Sequence, residues 1–102
     1  MAFYDLPKKE RIHVVADMSN EIVNEIESGK FKNTFSYFSN EDTYIRKGAY
    51  LSVGRLYFSN KALQPKIIQM LNALMLQDDF KIRQTVINAA GEIGKRDFEI
   101  VQ

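Results

Sequence analysis

The sequence predicts an all-α protein, a solenoid of stacked helix pairs behind a long N-terminal capping helix, and three features of the chain point to it. Apolar residues recur at steps of three and four, the spacing of helices with one buried face. The clusters Ser28-Gly29, Ser39-Asn40, Ser59-Asn60 and Gln77-Asp78 cut that pattern into helix-length pieces. Sliding the chain against itself by 37 residues sets Asp42 on Asp79, Ile45 on Ile82, Arg46 on Arg83 and Gly54 on Gly91 as identities. An isolated helix pair cannot bury its apolar faces, whereas stacked pairs share a continuous core.

In chain order, Asp5 is placed to cap a helix whose first turn contains Pro7, where a missing N–H costs nothing. Ile12, Val15, Ser19, Ile22 and Ile26 form its apolar stripe, widened by Val14 and Met18, and Gly29 is its stop. The opposite side, with Asp17, Glu21, Asn24 and Glu25, is polar, as expected of a helix that shields the end of a stack. A short aromatic helix follows over 31–38, with Phe31, Phe35 and Phe38 on one face. The next helix starts near Glu41 or Asp42 and reaches about Phe58, and Asn60 is placed to cap what comes after it. A fourth helix begins near Pro65; its residues Ile67, Ile68, Met70, Leu71, Leu74 and Met75 surround much of its circumference, so burial on more than one side is expected. The last full helix spans about Asp79 to Ile93, with Ile82, Val86, Ala89, Ala90 and Ile93 facing inward and Gly91 and Gly94 as a close-packing and stop feature. A single domain over 1–102 therefore divides into an N-terminal helix (1–29), a first helix pair (30–59), a second pair (60–94) and the opening of a further helix (95–102). The expectation is an N-terminal piece of a longer protein whose open C-terminal end can self-associate.

Asp79-x-x-Ile82-Arg83-x-x-Val86-x-x-Ala89-Ala90-Gly91 resembles the second helix of a HEAT repeat, and Asp42-x-x-Ile45-Arg46-x-x-Ala49-x-x-Ser52-Val53-Gly54 is similar. The resemblance covers roughly residues 31–94 and implies a right-handed α-solenoid of the armadillo/HEAT type, of a kind found in bacterial HEAT-repeat proteins. It implies that Asp42, Asp79, Arg46 and Arg83 are structural, together with Ile45, Gly54, Ile82 and Gly91. Gly48 and Tyr50 depart from the pattern, which usually has smaller helix formers there.

Composition limits the chemistry. There is no cysteine, so disulfides, thiolate metal sites and a Cys nucleophile are excluded, and a cytoplasmic location is the corresponding expectation. The single histidine, His13, stands near Lys9 and Arg11, poor material for a metal site or a general base. No phosphate-loop, dinucleotide or nucleophile-elbow motif occurs, and Asp78, Asp79 and Glu92 are accounted for by turn, cap and helix positions. No catalytic residue, metal site or cofactor is assigned, and no window is apolar enough for a membrane partner.

Net charge is only +1, but residues 1–29 carry three bases against six acids while residues 42–66 carry five bases against one acid. With Ile45, Ala49, Ser52, Val53 and Leu56 inward, Lys47, Tyr50, Leu51 and Arg55 face the other way, and Gln84, Ile87, Asn88 and Glu92 occupy the equivalent surface of the last helix. In a solenoid these second helices line the concave face. The expected function is a non-catalytic scaffold that binds a protein there, through Lys47, Tyr50, Leu51, Arg55, Gln84, Ile87 and Asn88. The alternative is a nucleic-acid partner, since base and aromatic together suit a phosphate backbone and a stacked base. Some bacterial alkylated-base DNA glycosylases are built of HEAT-like repeats and use tryptophans with an Asp on a basic concave face; this chain has no Trp.

Overall fold

The computed structural model describes the backbone of residues 2–101 and the side chains of residues 2–96. Its regular elements are all helical: α1 (Lys8–Ser28), α2 (Lys32–Phe38), α3 (Thr43–Ser59), α4 (Gln64–Met75) and α5 (Phe80–Val101). Single 3₁₀ turns, Phe3–Asp5 and Lys61–Leu63, precede α1 and α4. The periodicity of the chain is thus realised as helix throughout, and Gly29 ends α1 as its position predicts. It adopts a left-handed conformation (φ 78°) and its amide donates to the Glu25 carbonyl at 2.8 Å.

The 37-residue repeat is visible atom by atom in the two turns that start α3 and α5. The Asp42 carboxylate accepts from the Tyr44 amide at 2.9 Å, and the Asp79 carboxylate accepts from the Lys81 and Ile82 amides at 2.8 and 3.2 Å. Arg83 reaches back over its own turn to donate to the Gln77 carbonyl at 2.8 Å, and Arg46 does the same to the Asn40 carbonyl. Asn40 and Gln77 are themselves 37 residues apart. Each Arg therefore satisfies a carbonyl of the turn that follows the preceding helix, and each Asp satisfies amides at the start of the next.

α3 lies between α1 and α5, and α2 and α4 both lie against this row of three. The core between them is formed by Met18, Ile22 and Ile26 of α1, Phe38 of α2, Ala49 and Val53 of α3, Ile67, Met70, Leu71 and Leu74 of α4, and Ile82, Val86, Ala89 and Ile93 of α5. The molecule measures 38 × 32 × 24 Å. Gly48, unexpected in a helix interior, has a packing reason: a Cβ there would stand 2.7 Å from the Met18 methyl, so its absence makes room for that side chain. Beside it the Ser19 hydroxyl donates to Ser52 across the same contact at 2.7 Å.

Several expectations are corrected. Asp5 does not cap α1; its carboxylate accepts from the Ala2 amide within the 3₁₀ turn, and Pro7 stands at the helix boundary. Asn60 makes no side-chain cap either. Ile12 is 61% exposed, because at 100° per residue it lies about 80° around the helix from Ile22, the centre of the buried stripe. Ala90 is exposed for the same angular reason relative to Ile82, Val86 and Ile93. α4 buries one stripe instead of several sides, leaving Ile68 and Met75 exposed.

Glu21 and Glu25 are not solvent-facing: Tyr37 donates to Glu21 at 2.5 Å, and Glu25 accepts from the amides of Asn33 (2.7 Å) and Thr34 (2.6 Å) at the start of α2. Burial and the Glu21 carboxylate push the Tyr37 hydroxyl up to about 12. Gly94 is not a helix stop, since α5 continues through it to Val101 and, among the described residues, only Gly29 has positive φ. The segment from Lys95 is therefore a continuation of α5 and not the opening of a further helix; Gln102 lies outside the described residues. Gly91 and Gly94 are not close-packed either, because a Cβ at each would meet nothing within 4 Å.

Candidate functional site

α3 and α5 run side by side in the same direction, in step: Gly54 stands against Glu92 and Arg96 lies over the Phe58 ring at 5.8 Å. They approach closely at Gly54, where an added Cβ would stand 3.1 Å from the Glu92 Cβ. Towards their N-termini the glycine contact gives way to larger side chains, and a cleft of about 140 Å³ opens, lined by Thr43, Tyr44, Arg46, Lys47, Tyr50, Gln84, Thr85 and Asn88. The floor is fixed by Thr85, which is buried and whose hydroxyl lies 3.0 Å from the Phe38 carbonyl and 2.7 Å from the Lys81 carbonyl. A polar side chain is stable at that depth only because it is hydrogen-bonded.

The lining has a one-sided chemistry. It contains two cations, two phenols, two carboxamides and two hydroxyls, and no carboxylate. Arg46 is held by its bond to the Asn40 carbonyl, so its charge is fixed at the rim, while Lys47 is exposed. The lining itself has no carboxylate, but the Asp42 carboxylate is near enough to feel the Arg46 charge, so exposed Lys47 is the cation that favours an anionic or acceptor-rich group here.

The seven residues predicted to share one concave face do not stay together. Lys47, Tyr50, Gln84 and Asn88 meet in the cleft. Leu51 turns towards the N-terminal arm, bordering with Lys47, Gly48, Phe3, Tyr4, Val15 and Tyr44 a second hollow of about 150 Å³. Arg55 is exposed and reaches the Ser52 hydroxyl (3.4 Å), on the α1 side of α3. Ile87 is exposed on the side of α5 turned away from α3. Tyr44, Thr43 and Thr85 were not anticipated. Tyr44 was within reach, being one helical turn before Lys47 on the same side. Thr85 was not, because its burial depends on the Phe38 carbonyl 47 residues away.

The N-terminal arm borders this region. The Phe3 amide donates to the Asp42 carboxylate at 2.7 Å, and this bond is the main reason that the Asp42 carboxyl is held below its ordinary value. Tyr4 packs edge-on against Tyr44 with ring centroids 4.3 Å apart, and Arg11 lies over the Tyr4 ring at 4.7 Å.

Among the described residues no group of three His, Asp or Glu side chains is placed to hold a metal ion, and His13 is exposed on α1. No helix among them is long and apolar enough to cross a membrane. No protein-family model, curated protein or solved structure matches the chain.

Proposed function

We propose that this chain is a HEAT-like α-solenoid scaffold whose α3–α5 cleft holds an acidic segment of a protein partner. The observation that carries the proposal is the lining of that cleft: Lys47, Arg46, Tyr50, Gln84 and Asn88 converge on about 140 Å³ with no carboxylate among them. Repetition supports the solenoid, since the Asp caps and the Arg-to-carbonyl bonds recur at 37 residues. A cavity of this size takes one or two side-chain head groups, so the cleft is an anchor point within a larger contact and not a small-molecule site, which is commonly ~300 Å³ or more. Glu or Asp side chains fit its donors, and Tyr50 and Tyr44 supply the rigid amphipathic surface common at protein interfaces.

The same donors suit a phosphate, which makes nucleic acid the competing partner. A glycosylase reading lacks its base, since the cleft presents no Asp or Glu. Fluorescence anisotropy separates the two: a labelled Asp/Glu-rich peptide and labelled single- and double-stranded DNA are each titrated with the protein at low and moderate salt. Saturable peptide binding that is lost in Lys47→Glu, with Asn88→Ala weaker than wild type, supports the scaffold. Tighter binding of DNA than of peptide, with the steep salt dependence of phosphate contacts, replaces it with the nucleic-acid reading.

A further inference from the structure

The cleft shares a wall with a second hollow of different chemistry. Tyr44 and Lys47 line both the cleft of about 140 Å³ between α3 and α5 and the hollow of about 150 Å³ between α3, α1 and the N-terminal arm. Among the described residues Lys47 is the one charged side chain of the hollow, whose other walls are apolar or aromatic: Phe3, Tyr4, Val15 and Leu51, with Gly48 as the floor. Three features build it. Gly48 leaves open the space in front of Val15, whose Cγ2 would stand 3.9 Å from an added Cβ. Val15 and Leu51 are half-buried flanks. The arm is fastened as the outer wall: the Phe3 amide donates to Asp42 at 2.7 Å, Arg11 donates to the Leu6 carbonyl at 3.1 Å, and the Tyr4 ring stands edge-on to those of Phe3 (5.5 Å) and Tyr44 (4.3 Å).

We propose that the cleft and the hollow together read a pattern in an extended partner segment: an acidic side chain in the cleft and, two positions away, an apolar side chain of about leucine size in the hollow. This rests on the cleft's role as the anchor of an acidic segment and specifies which acidic segments it takes. Charge selects the occupant. The exposed Lys47 ammonium borders both spaces, so an acid beside the apolar group is attracted and a base there is repelled. Size limits the apolar group, since a dry apolar cavity of ~150 Å³ takes up about one benzene ring. The spacing follows from α3. Lys47 lies one turn before both Tyr50, on the cleft side, and Leu51, on the hollow side, so a single ridge of side chains separates the two spaces. Alternate residues of an extended chain point the same way at intervals of roughly 7 Å, and a segment crossing that ridge sets one side chain down on each side of it.

Blocked tripeptides titrated into the isotope-labelled 102-residue chain test the proposal by NMR. The probes are acetyl-Glu-Ser-Leu-amide, its reverse Leu-Ser-Glu, and the counterparts Glu-Ser-Gly and Gln-Ser-Leu. The Val15 and Leu51 methyl signals report on the hollow, and the Gln84 and Asn88 side-chain amides report on the cleft. The expected result is that Glu-Ser-Leu or its reverse moves both sets of signals and binds roughly tenfold tighter than Glu-Ser-Gly, the effect of burying one leucine side chain. Phe3→Ala takes away the hollow's wall from outside the core and keeps the amide that holds the arm, so it should erase most of that preference. Equal affinity for Glu-Ser-Gly and both leucine peptides, with the cleft signals moving, would overturn the two-part site and leave the acidic anchor standing. Gln-Ser-Leu binding as tightly as Glu-Ser-Leu would remove the anchor and the proposal with it, and so would silence of both sets of signals. A leucine preference untouched by Phe3→Ala would place that side chain elsewhere and overturn the proposal alone.

Discussion

In the first repeat unit Asp42 caps α3, Arg46 folds back onto the Asn40 carbonyl, and Phe3 docks on the carboxylate while α5 covers the flank. In the second, Asp79 caps α5 and Arg83 folds back onto the Gln77 carbonyl, but Phe80, Leu76 and Ile87 beside them stand in solvent. Local sequence therefore sets the same Asp cap and the same Arg-to-carbonyl bond in both places, and the neighbours decide how deeply each position is buried. Paired substitutions at repeat-equivalent sites isolate the second effect from the first.

The largest difference is expected at the Ile45 and Ile82 pair. Ile82 is 0% exposed, so Ile82→Asp places an unpaired charge in the shared core and should abolish the cooperative melt, a loss on the order of 4 kcal/mol or more. Ile45 is half-buried, and Ile45→Asp should leave a weakened but cooperative transition in thermal circular dichroism. Equal effects would mean that the two units bury their second helices alike. Next comes Phe38→Ala, which should cost about 3–5 kcal/mol in chemical denaturation, against less than ~1 kcal/mol for the half-open Met75→Ala.

The caps follow. Asp42→Ala and Asp79→Ala should each cost about 1 kcal/mol, with Asp42→Ala the larger because it also releases Phe3. Asp42 adds a pH signature. Its folded carboxyl lies below its ordinary 3.8, so the stability it contributes is complete above that value and is lost as pH falls through the lowered one. Asp42→Asn should flatten the acid limb of the melting temperature against pH. The smallest effects, of opposite sign, are expected at the glycines: Gly91→Ala should stabilise the dilute chain by up to ~1 kcal/mol, whereas Gly54→Ala pushes a methyl against Glu92 and should not.

The helical class and most boundaries were legible because they rest on periodicity and turn chemistry, which are local: Gly29, Asp42 and Asp79 act as their positions announce. What escaped was set by rotation and by distant partners. Ile12 and Ala90 sit at the margin of an apolar stripe, where a shift of 80° decides between core and solvent. Gly94 looks like a stop, yet a glycine ends a helix only when the chain turns left-handed there, which sequence does not announce. Of the cleft, Lys47, Tyr50, Gln84 and Asn88 followed from facing α3 against α5. Leu51 and Arg55 point elsewhere because α3, between two neighbours, has two partnered flanks, and Ile87 because it lies on the side of α5 turned away from α3.

Glu25 makes one helix depend on another. One carboxylate of α1 receives the amides of Asn33 and Thr34 and the Thr34 hydroxyl, and so nucleates the seven-residue α2 from outside. A helix that short does not persist alone in water. In the folded chain α2 therefore depends on the last turn of α1, which acts as its template as well as its wall.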